Sequence, residues 1–144
     1  MPVRLFLDAN VLFSAALSPS GAASNLFEFA DAGACELAAS TFVVAETERN
    51  LRAKAPATRE RWDHLSAQVV IVPEADLRML TRMSVTLPAK NRPVLAAAIA
   101  CRANVLATGD RRHFGPLFGL MFAGTVVLPP RQAVAFMVEL VRSQ

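Results

Sequence analysis

The chain has 144 residues, of which 53% are hydrophobic and 19% charged, and its formal net charge is +3. That length suits one domain with its own core, so we expect a single domain over residues 1–144. No apolar run reaches the roughly 18 residues that a membrane span needs, which argues against a membrane protein. No signal-peptide core forms before Arg4 and Asp8, and Cys35 and Cys101 lack metal or redox spacing, so we expect a cytoplasmic protein with reduced thiols.

The composition also bears on partners. So high a hydrophobic share leaves apolar surface, which predicts a homodimer or a complex with a small protein. Only Lys54 and Lys90 are lysines, so arginine carries most of the positive charge. Because the planar guanidinium binds phosphate through two hydrogen bonds, this favours a nucleic-acid partner, although a biased genome composition gives the same arginine content.

Short apolar runs alternate along the chain with helix-like ones. In chain order the pattern predicts a strand at 3–7, a helix at 22–32, a strand at 35–39, helices at 41–54 and 58–67, a strand at 69–72, helices at 74–83 and 93–102, strands at 105–108 and 125–128, and a helix at 131–141. Strands that are short and mostly apolar are typical of sheets buried on both faces. The sequence therefore predicts an α/β fold, a three-layer α/β/α domain with a central, mainly parallel sheet.

Two aspartates stand where predicted strands stop. Asp8 follows the first strand and Asp110 follows the strand at 105–108. Open α/β sheets bind ligands beyond the carboxyl ends of their strands, so we expect both acids to point into one crevice. Carboxylate oxygens are the ligands of hard cations, and the pair predicts a divalent-metal site. The alternative for each acid alone is a turn or helix cap.

The predicted helix at 41–54 carries two further acids. Glu46 and Glu48 lie about 200° apart around a helix, so only one of them can face the crevice. Val44 and Leu51 share a face with Glu48, whereas Glu46 lies beside Val43. The pattern alone leaves both open.

Four segments resemble motifs of the PIN domain family, whose members are metal-dependent ribonucleases and include toxins of bacterial toxin–antitoxin pairs. They read LFLDANV at 5–11, TFVVAETERNL at 41–51, RPVLAAA at 92–98 and LATGD at 106–110. The resemblance covers nearly the whole chain, and the order and spacing of the four segments make it specific. The resemblance implies that Asp8, Glu46 and Asp110 are the catalytic acids, with Mg²⁺ or Mn²⁺ as the cofactor. It also implies that Asn10 and Thr108 hold the carboxylates by hydrogen bonds.

One position departs from the family pattern. Asn91 stands where an aspartate is expected before the helix at 93–102. Asparagine caps a helix about as well as aspartate, and its carbonyl oxygen can still bind a metal without adding charge. We therefore expect Asn91 to be a helix cap, with weak metal ligation or support of a metal ligand from behind as the alternatives. The missing charge also predicts weaker binding of a second ion, and it motivates an alternative function: a catalytically weak or inactive PIN-fold module that binds RNA or another protein.

The PIN-like reaction would use a divalent ion to activate a water that attacks a phosphodiester in line. Arg92, Arg111 and Arg112 are the predicted substrate-binding residues, and single-stranded RNA is the expected substrate. A small antitoxin protein is the partner that the resemblance implies. His64 and His113 lack zinc spacing and are predicted to be ordinary surface or core histidines.

Overall fold

A computed structural model describes residues 2–144. Its helices and strands, in chain order, are β1 (Arg4–Leu7), α1 (Ala9–Leu17), α2 (Ala22–Asp31), β2 (Glu36–Ser40), α3 (Thr41–Lys54), α4 (Arg59–Ser66), β3 (Val69–Val72), α5 (Arg78–Thr81), α6 (Arg92–Ala100), β4 (Val105–Ala107), β5 (Met121–Phe122), β6 (Thr125–Leu128) and α7 (Pro130–Arg142). Short 3₁₀ turns at Pro56–Thr58 and Gly115–Leu117 precede α4 and β5.

The strands form one six-stranded sheet in the order β3-β2-β1-β4-β6-β5. All neighbouring pairs are parallel except β5, which pairs antiparallel with β6 at one edge. From β1 the chain continues to β2 on one side, and β4 later pairs with β1 on the other. This reversal of strand order opens a crevice beyond the carboxyl ends of β1 and β4, the usual ligand site of such sheets.

Helices cover both faces of the sheet. α1 packs against α2 and α3, and α2 packs against α7. α6 packs on β2 and β4, with α5 beside it. Parallel crossovers are right-handed, so the chain returning from β3 to β4 places α6 on the face opposite α1. The central strands are fully buried, as the apolar run from Leu5 to Leu7 and its partner from Val105 to Ala107 predict.

The predicted α/β class and mainly parallel sheet are confirmed, as are the five predicted strands to within one residue. The predicted helix at 74–83 is wrong over most of its length, since only Arg78–Thr81 is helical. The Asp76 side chain accepts the Arg78 backbone N–H at 2.9 Å and also pairs with the Arg78 side chain. Such a local turn competes with the helix.

Helix α1 was not predicted. It begins at Ala9, directly after β1, and its first turns are as apolar as the strand before them. The hydrophobic run therefore hides the boundary between strand and helix. Among residues 2–144, no helix is both long and apolar enough to cross a membrane.

Candidate functional site

Asp8 is the most buried acid at the crevice, with 5% of its surface exposed. It is the N-cap of α1, and its Oδ1 accepts the Ala9 backbone N–H at 2.8 Å. Its Oδ2 accepts hydrogen bonds from Thr108 Oγ1 at 2.8 Å and from Asn10 Nδ2 at 3.2 Å. Asp8 therefore caps a helix, as the simpler interpretation predicted, and also lies at the carboxyl end of β1.

Burial raises the pKa of Asp8 above its ordinary value. The hydrogen bonds from Thr108 and Ala9 act in the opposite direction, while the negative charges of Glu46 and Asp110 raise the pKa further. The three acids are thus close enough for their charges to interact at Asp8.

Thr108 joins the ends of β1 and β4. Leu7 lies opposite Ala107 in the sheet, so Asp8 and Thr108 leave their strands side by side. The fully buried Thr108 hydroxyl donates to Asp8 and accepts the Asp110 backbone N–H at 3.2 Å. One hydroxyl therefore fixes the first carboxylate and the backbone of the second.

Asn10 links the start of α1 to the loop after β4. Its Nδ2 lies 3.3 Å from Thr108 Oγ1, and its Oδ1 accepts the Gly109 backbone N–H at 2.6 Å. A Cβ on residue 109 would lie 3.2 Å from Asn10 Oδ1, which explains the glycine at this close approach. Asn10 and Thr108 thus both donate to the Asp8 carboxylate, and neither donates to the carboxylate of Asp110.

Asp110 is held mainly by His113. The His113 backbone N–H donates to Asp110 Oδ1 at 3.0 Å, and His113 Nδ1 lies 2.9 Å from Asp110 Oδ2. Partial burial acts to raise the pKa of Asp110, but the His113 hydrogen bonds and the charges of His113 and Lys90 outweigh it and lower that pKa. The sequence pattern indicated His113 only as one of the basic groups after Asp110 and not as a partner of that acid, although its place three residues later was a usable signal for a turn contact.

Asn91 is buried and occupies the N-cap position of α6, but its side chain makes no capping hydrogen bond. The prediction that its side chain caps the helix is therefore wrong. Its Nδ2 instead points to Asp110 Oδ2 at 3.4 Å, at the long end of hydrogen-bond distance. Within residues 2–144 its buried Oδ1 has no hydrogen-bond partner. The amide nitrogen of Asn91 therefore faces Asp110, and its oxygen is left without a hydrogen-bond partner in the described part of the chain.

The two glutamates of α3 are separated by the packing of that helix. Val43, Thr47 and Leu51 form its buried face. Glu48 accepts a hydrogen bond from Trp62 Nε1 at 3.0 Å, on the side of α4. Glu46 is partly buried, and its charge acts on Asp8. Glu48 is thus directed to α4, whereas the charge of Glu46 acts on Asp8.

The three predicted substrate-binding arginines differ in exposure. Arg111 and Arg112 are exposed on the turn directly after Asp110. Arg92 is partly buried at the start of α6, where its Nε donates to the Leu87 carbonyl at 3.2 Å. Arg111 and Arg112 are therefore freer than Arg92 to contact a ligand.

Within the described residues, no three histidine, cysteine or acidic side chains form a ready-made metal cluster. The oxygens present still suit a hard cation by their chemistry, and Thr108 holds the Asp8 carboxylate beside the backbone of Asp110. Mg²⁺ commonly binds through one or two carboxylates and keeps several waters. A cation would also relieve the repulsion that Glu46 and Asp110 exert on Asp8. Asp8 and Asp110 are thus of the right chemistry to hold a divalent ion together with water.

Comparison with known proteins supports the same family. A family model described as a PIN domain matches residues 4–112. VapBC2 from Rickettsia felis, solved bound to a DNA fragment from its promoter, is similar with a TM-score of 0.64 and 16% identity, covering 88% of this chain and 98% of that chain. PAE2754 from Pyrobaculum aerophilum is similar with a TM-score of 0.65 and 16% identity, covering 96% of this chain and 99% of that one. No curated protein sequence matches. Because the family model spans well over half of the chain, from β1 to the turn after β4, the chain belongs to the PIN domain family.

Proposed function

We propose that this chain is a divalent-metal-dependent endoribonuclease and the toxin of a toxin–antitoxin pair. PIN domains are generally metal-dependent nucleases. The observation that carries the proposal is that Thr108 holds the Asp8 carboxylate and the Asp110 backbone at the neighbouring carboxyl ends of β1 and β4, while the charges of Glu46 and Asp110 both act on Asp8. The similarity to VapBC2 supports the toxin assignment.

In this proposal Asp8 and Asp110 are direct ligands of Mg²⁺ or Mn²⁺, and Glu46 is a third ligand or the base that orients water. A bound divalent ion supplies an activated water and neutralises charge on the phosphate. Thr108 and Asn10 keep the Asp8 carboxylate in place through hydrogen bonds. Asn91 adds no charge, and we propose that it influences the metal only through Asp110.

Single-stranded RNA is the proposed substrate, and Arg111 and Arg112 are proposed to contact its phosphates. Both are exposed and follow Asp110 directly. We expect the double variant R111A/R112A to bind RNA more weakly, with the salt dependence of log K reduced by about 1.4, since each phosphate contact on a single strand accounts for about 0.7. The measurement is RNA affinity over a series of salt concentrations. R49A/R52A, on exposed positions of α3, is the matched control, and an equal loss in it would contradict this role.

The metal-dependent reaction is tested with purified protein and end-labelled RNA. We expect cleavage of single-stranded RNA in Mn²⁺ or Mg²⁺, loss of cleavage in EDTA, and a loss of about 10³-fold in Asp110→Asn, because removing a ligand removes several kcal/mol of transition-state stabilisation. Asp31→Asn, an exposed acid at the end of α2, is the matched control. Duplex RNA and single-stranded DNA in parallel reactions test the substrate class. Cleavage that survives EDTA or Asp110→Asn would contradict the assignment.

Exposed apolar side chains support the proposed protein partners. Large hydrophobic residues with exposed surfaces are Leu17, Phe42, Val70, Ile71, Leu77, Leu120, Met121 and Val141. Two of them, Val70 and Ile71, stand together on β3, an edge strand of the sheet. An apolar edge without charged residues invites pairing with another strand. We propose a homodimer and a small antitoxin as the partners that cover such surface.

A second candidate function rests on Asn91. Its amide donates to Asp110 at a position where a fourth carboxylate would add to the metal site. The candidate is a PIN-fold module that binds RNA or a protein without turnover. In the assay above it predicts RNA binding that EDTA leaves unchanged, and no cleavage in either metal.

A further inference from the structure

His113 makes two contacts with one carboxylate. Its backbone N–H donates to Asp110 Oδ1, and its Nδ1 lies 2.9 Å from Asp110 Oδ2. An ionised carboxylate only accepts hydrogen bonds, so the Nδ1 atom of His113 carries the proton. The ring is three-quarters buried, with 25% of its side chain exposed. The imidazole is therefore a donor held in a defined orientation beside the acid.

The hydrogen bonds to the Asp110 carboxylate occupy most of its acceptor sites. A carboxylate has about four lone-pair sites, two on each oxygen. Oδ2 receives His113 Nδ1 and, more weakly, Asn91 Nδ2, whereas Oδ1 receives only the His113 backbone N–H. One acceptor site therefore remains, on Oδ1.

Asp8 shows the same pattern. Thr108 and Asn10 both donate to its Oδ2, and only the Ala9 backbone N–H donates to its Oδ1. Each aspartate thus accepts hydrogen bonds from two side chains at Oδ2 and keeps one free acceptor site on Oδ1. Different residues produce the same arrangement at the two strand ends, which points to a role in presenting the two Oδ1 atoms.

We propose that His113 is a positioning residue, whose Nδ1–H fixes the Asp110 carboxylate so that Oδ1 is presented to a divalent cation. The proposal rests on the proposed metal-dependent function. Ligating carboxylates are commonly oriented by such hydrogen bonds, and losing one typically lowers metal affinity about 10-fold to 100-fold. His113 would thus orient the Asp110 carboxylate as Thr108 and Asn10 orient that of Asp8.

The competing explanation is a purely structural turn. Asp110 Oδ1 accepts the His113 backbone N–H, and the Asp110 carbonyl accepts the Phe114 N–H at 3.0 Å, so the segment would be a capped turn without any metal. Both backbone contacts survive replacement of the imidazole. A side-chain variant therefore removes the positioning contact while keeping the turn.

The test measures Mn²⁺ binding to the full chain by calorimetry, without RNA. His113→Phe keeps a ring but removes the donor, and we expect its Kd for Mn²⁺ to rise about 10-fold or more. His113→Asn places an amide nitrogen at the position of Nδ1, and we expect a Kd within about 3-fold of that of the unmodified chain. His113→Gln places the amide one bond further out and should bind as weakly as the phenylalanine variant. His64→Phe, on an exposed position of α4, is the matched control.

Thermal melts of each variant separate folding from binding, and the Asn and Gln pair decides the question if His113→Phe does not fold. Unchanged Mn²⁺ affinity in folded His113→Phe or His113→Gln would overturn the positioning role and leave the metal site intact. Affinity in His113→Asn as low as in His113→Gln would also overturn it, because the hydrogen bond would then not be what matters. Absence of Mn²⁺ binding by the unmodified chain would overturn the metal site itself and this proposal with it.

Discussion

Replacing Asp8 with asparagine is expected to lower metal-dependent RNA cleavage by about 10³-fold or more while raising the free energy of unfolding of the metal-free protein at pH 7. The first effect follows from removing a proposed ligand. The second follows from burial and from the charges of Glu46 and Asp110, which together make the ionised form of Asp8 costly. Asparagine keeps the helix cap through its Oδ1. Its Nδ2 replaces an acceptor of the Thr108 and Asn10 hydrogen bonds, which offsets part of the gain from removing the buried charge. We expect the melting temperature in EDTA to rise by a few degrees.

The stability difference has a defined pH dependence. Because the folded pKa of Asp8 is raised, the native state holds a proton over a pH range in which the unfolded chain has already lost it. Stability then falls as pH rises from the ordinary aspartate pKa to the raised folded value, and above that value the penalty is complete. The asparagine variant has no such penalty. Its advantage is therefore largest at neutral pH and shrinks as the pH falls through that window.

Denaturant unfolding in EDTA at several pH values measures this difference. Asp31→Asn, at an exposed position, is the control for a general effect of removing one negative charge. An Asp8→Asn protein that is less stable than the unmodified chain at neutral pH would show that the buried carboxylate contributes net stability through its three hydrogen bonds. A gap that widens on acidification would contradict the raised pKa.

The placement of Asp8 and Asp110 could be predicted from the sequence because it needs only two local facts: where an apolar strand ends, and that parallel strands end at the same edge. The choice between Glu46 and Glu48 could not, because it depends on how α3 is rotated against the sheet. Packing of Val43, Thr47 and Leu51 fixes that rotation. The apolar residues that share a face with Glu48 do not settle the choice, because Leu51 is buried but Val44 is only partly buried.

The contact of Asn91 was beyond the sequence pattern for a different reason, and the contact of His113 was indicated only by its spacing from Asp110. Asparagine at the start of a helix is usually a cap, yet the side chain of Asn91 turns toward an acid 19 residues later. His113 is close to Asp110 in sequence, but its contact depends on the turn that follows β4. Helix α1 and the shortened α5 were missed because local composition resembled a strand in the first case and a helix in the second.

Replacing Asn91 with aspartate restores the acid that the family pattern expects, and we expect it to destabilise the metal-free protein while strengthening Mn²⁺ binding. Asn91 Nδ2 and Asp110 Oδ2 lie 3.4 Å apart, so the substitution exchanges a donor for a second carboxylate oxygen at about that distance. At 3.4 Å the lost hydrogen bond costs about 1.5 kcal/mol, the low end for a bond to a charged group, and charge repulsion adds to this. A cation bound between the two acids would reverse the repulsion.

Unfolding of Asn91→Asp and of the unmodified chain, each in EDTA and in Mn²⁺, tests this expectation. At a Mn²⁺ concentration of about 100 times its Kd, binding returns about 2.7 kcal/mol, so the variant should recover most of its lost stability. Asn25→Asp, a partly buried position on α2, is the matched control and should change stability by no more than about 0.5 kcal/mol in either condition. Equal Mn²⁺ stabilisation of variant and unmodified chain would contradict the view that residue 91 faces the metal site.

Cleavage by the same variant separates the two proposed functions. If Asn91→Asp cleaves RNA and the unmodified chain does not, the missing carboxylate is what limits catalysis, and the natural protein is the binding module. If both cleave, the charges of Asp8, Glu46 and Asp110 suffice. In that case the hydrogen bond from Asn91 serves stability, because it holds Asp110 in place when no cation is bound. The Asn91→Asp variant should then depend on the metal for its stability and bind that metal more tightly.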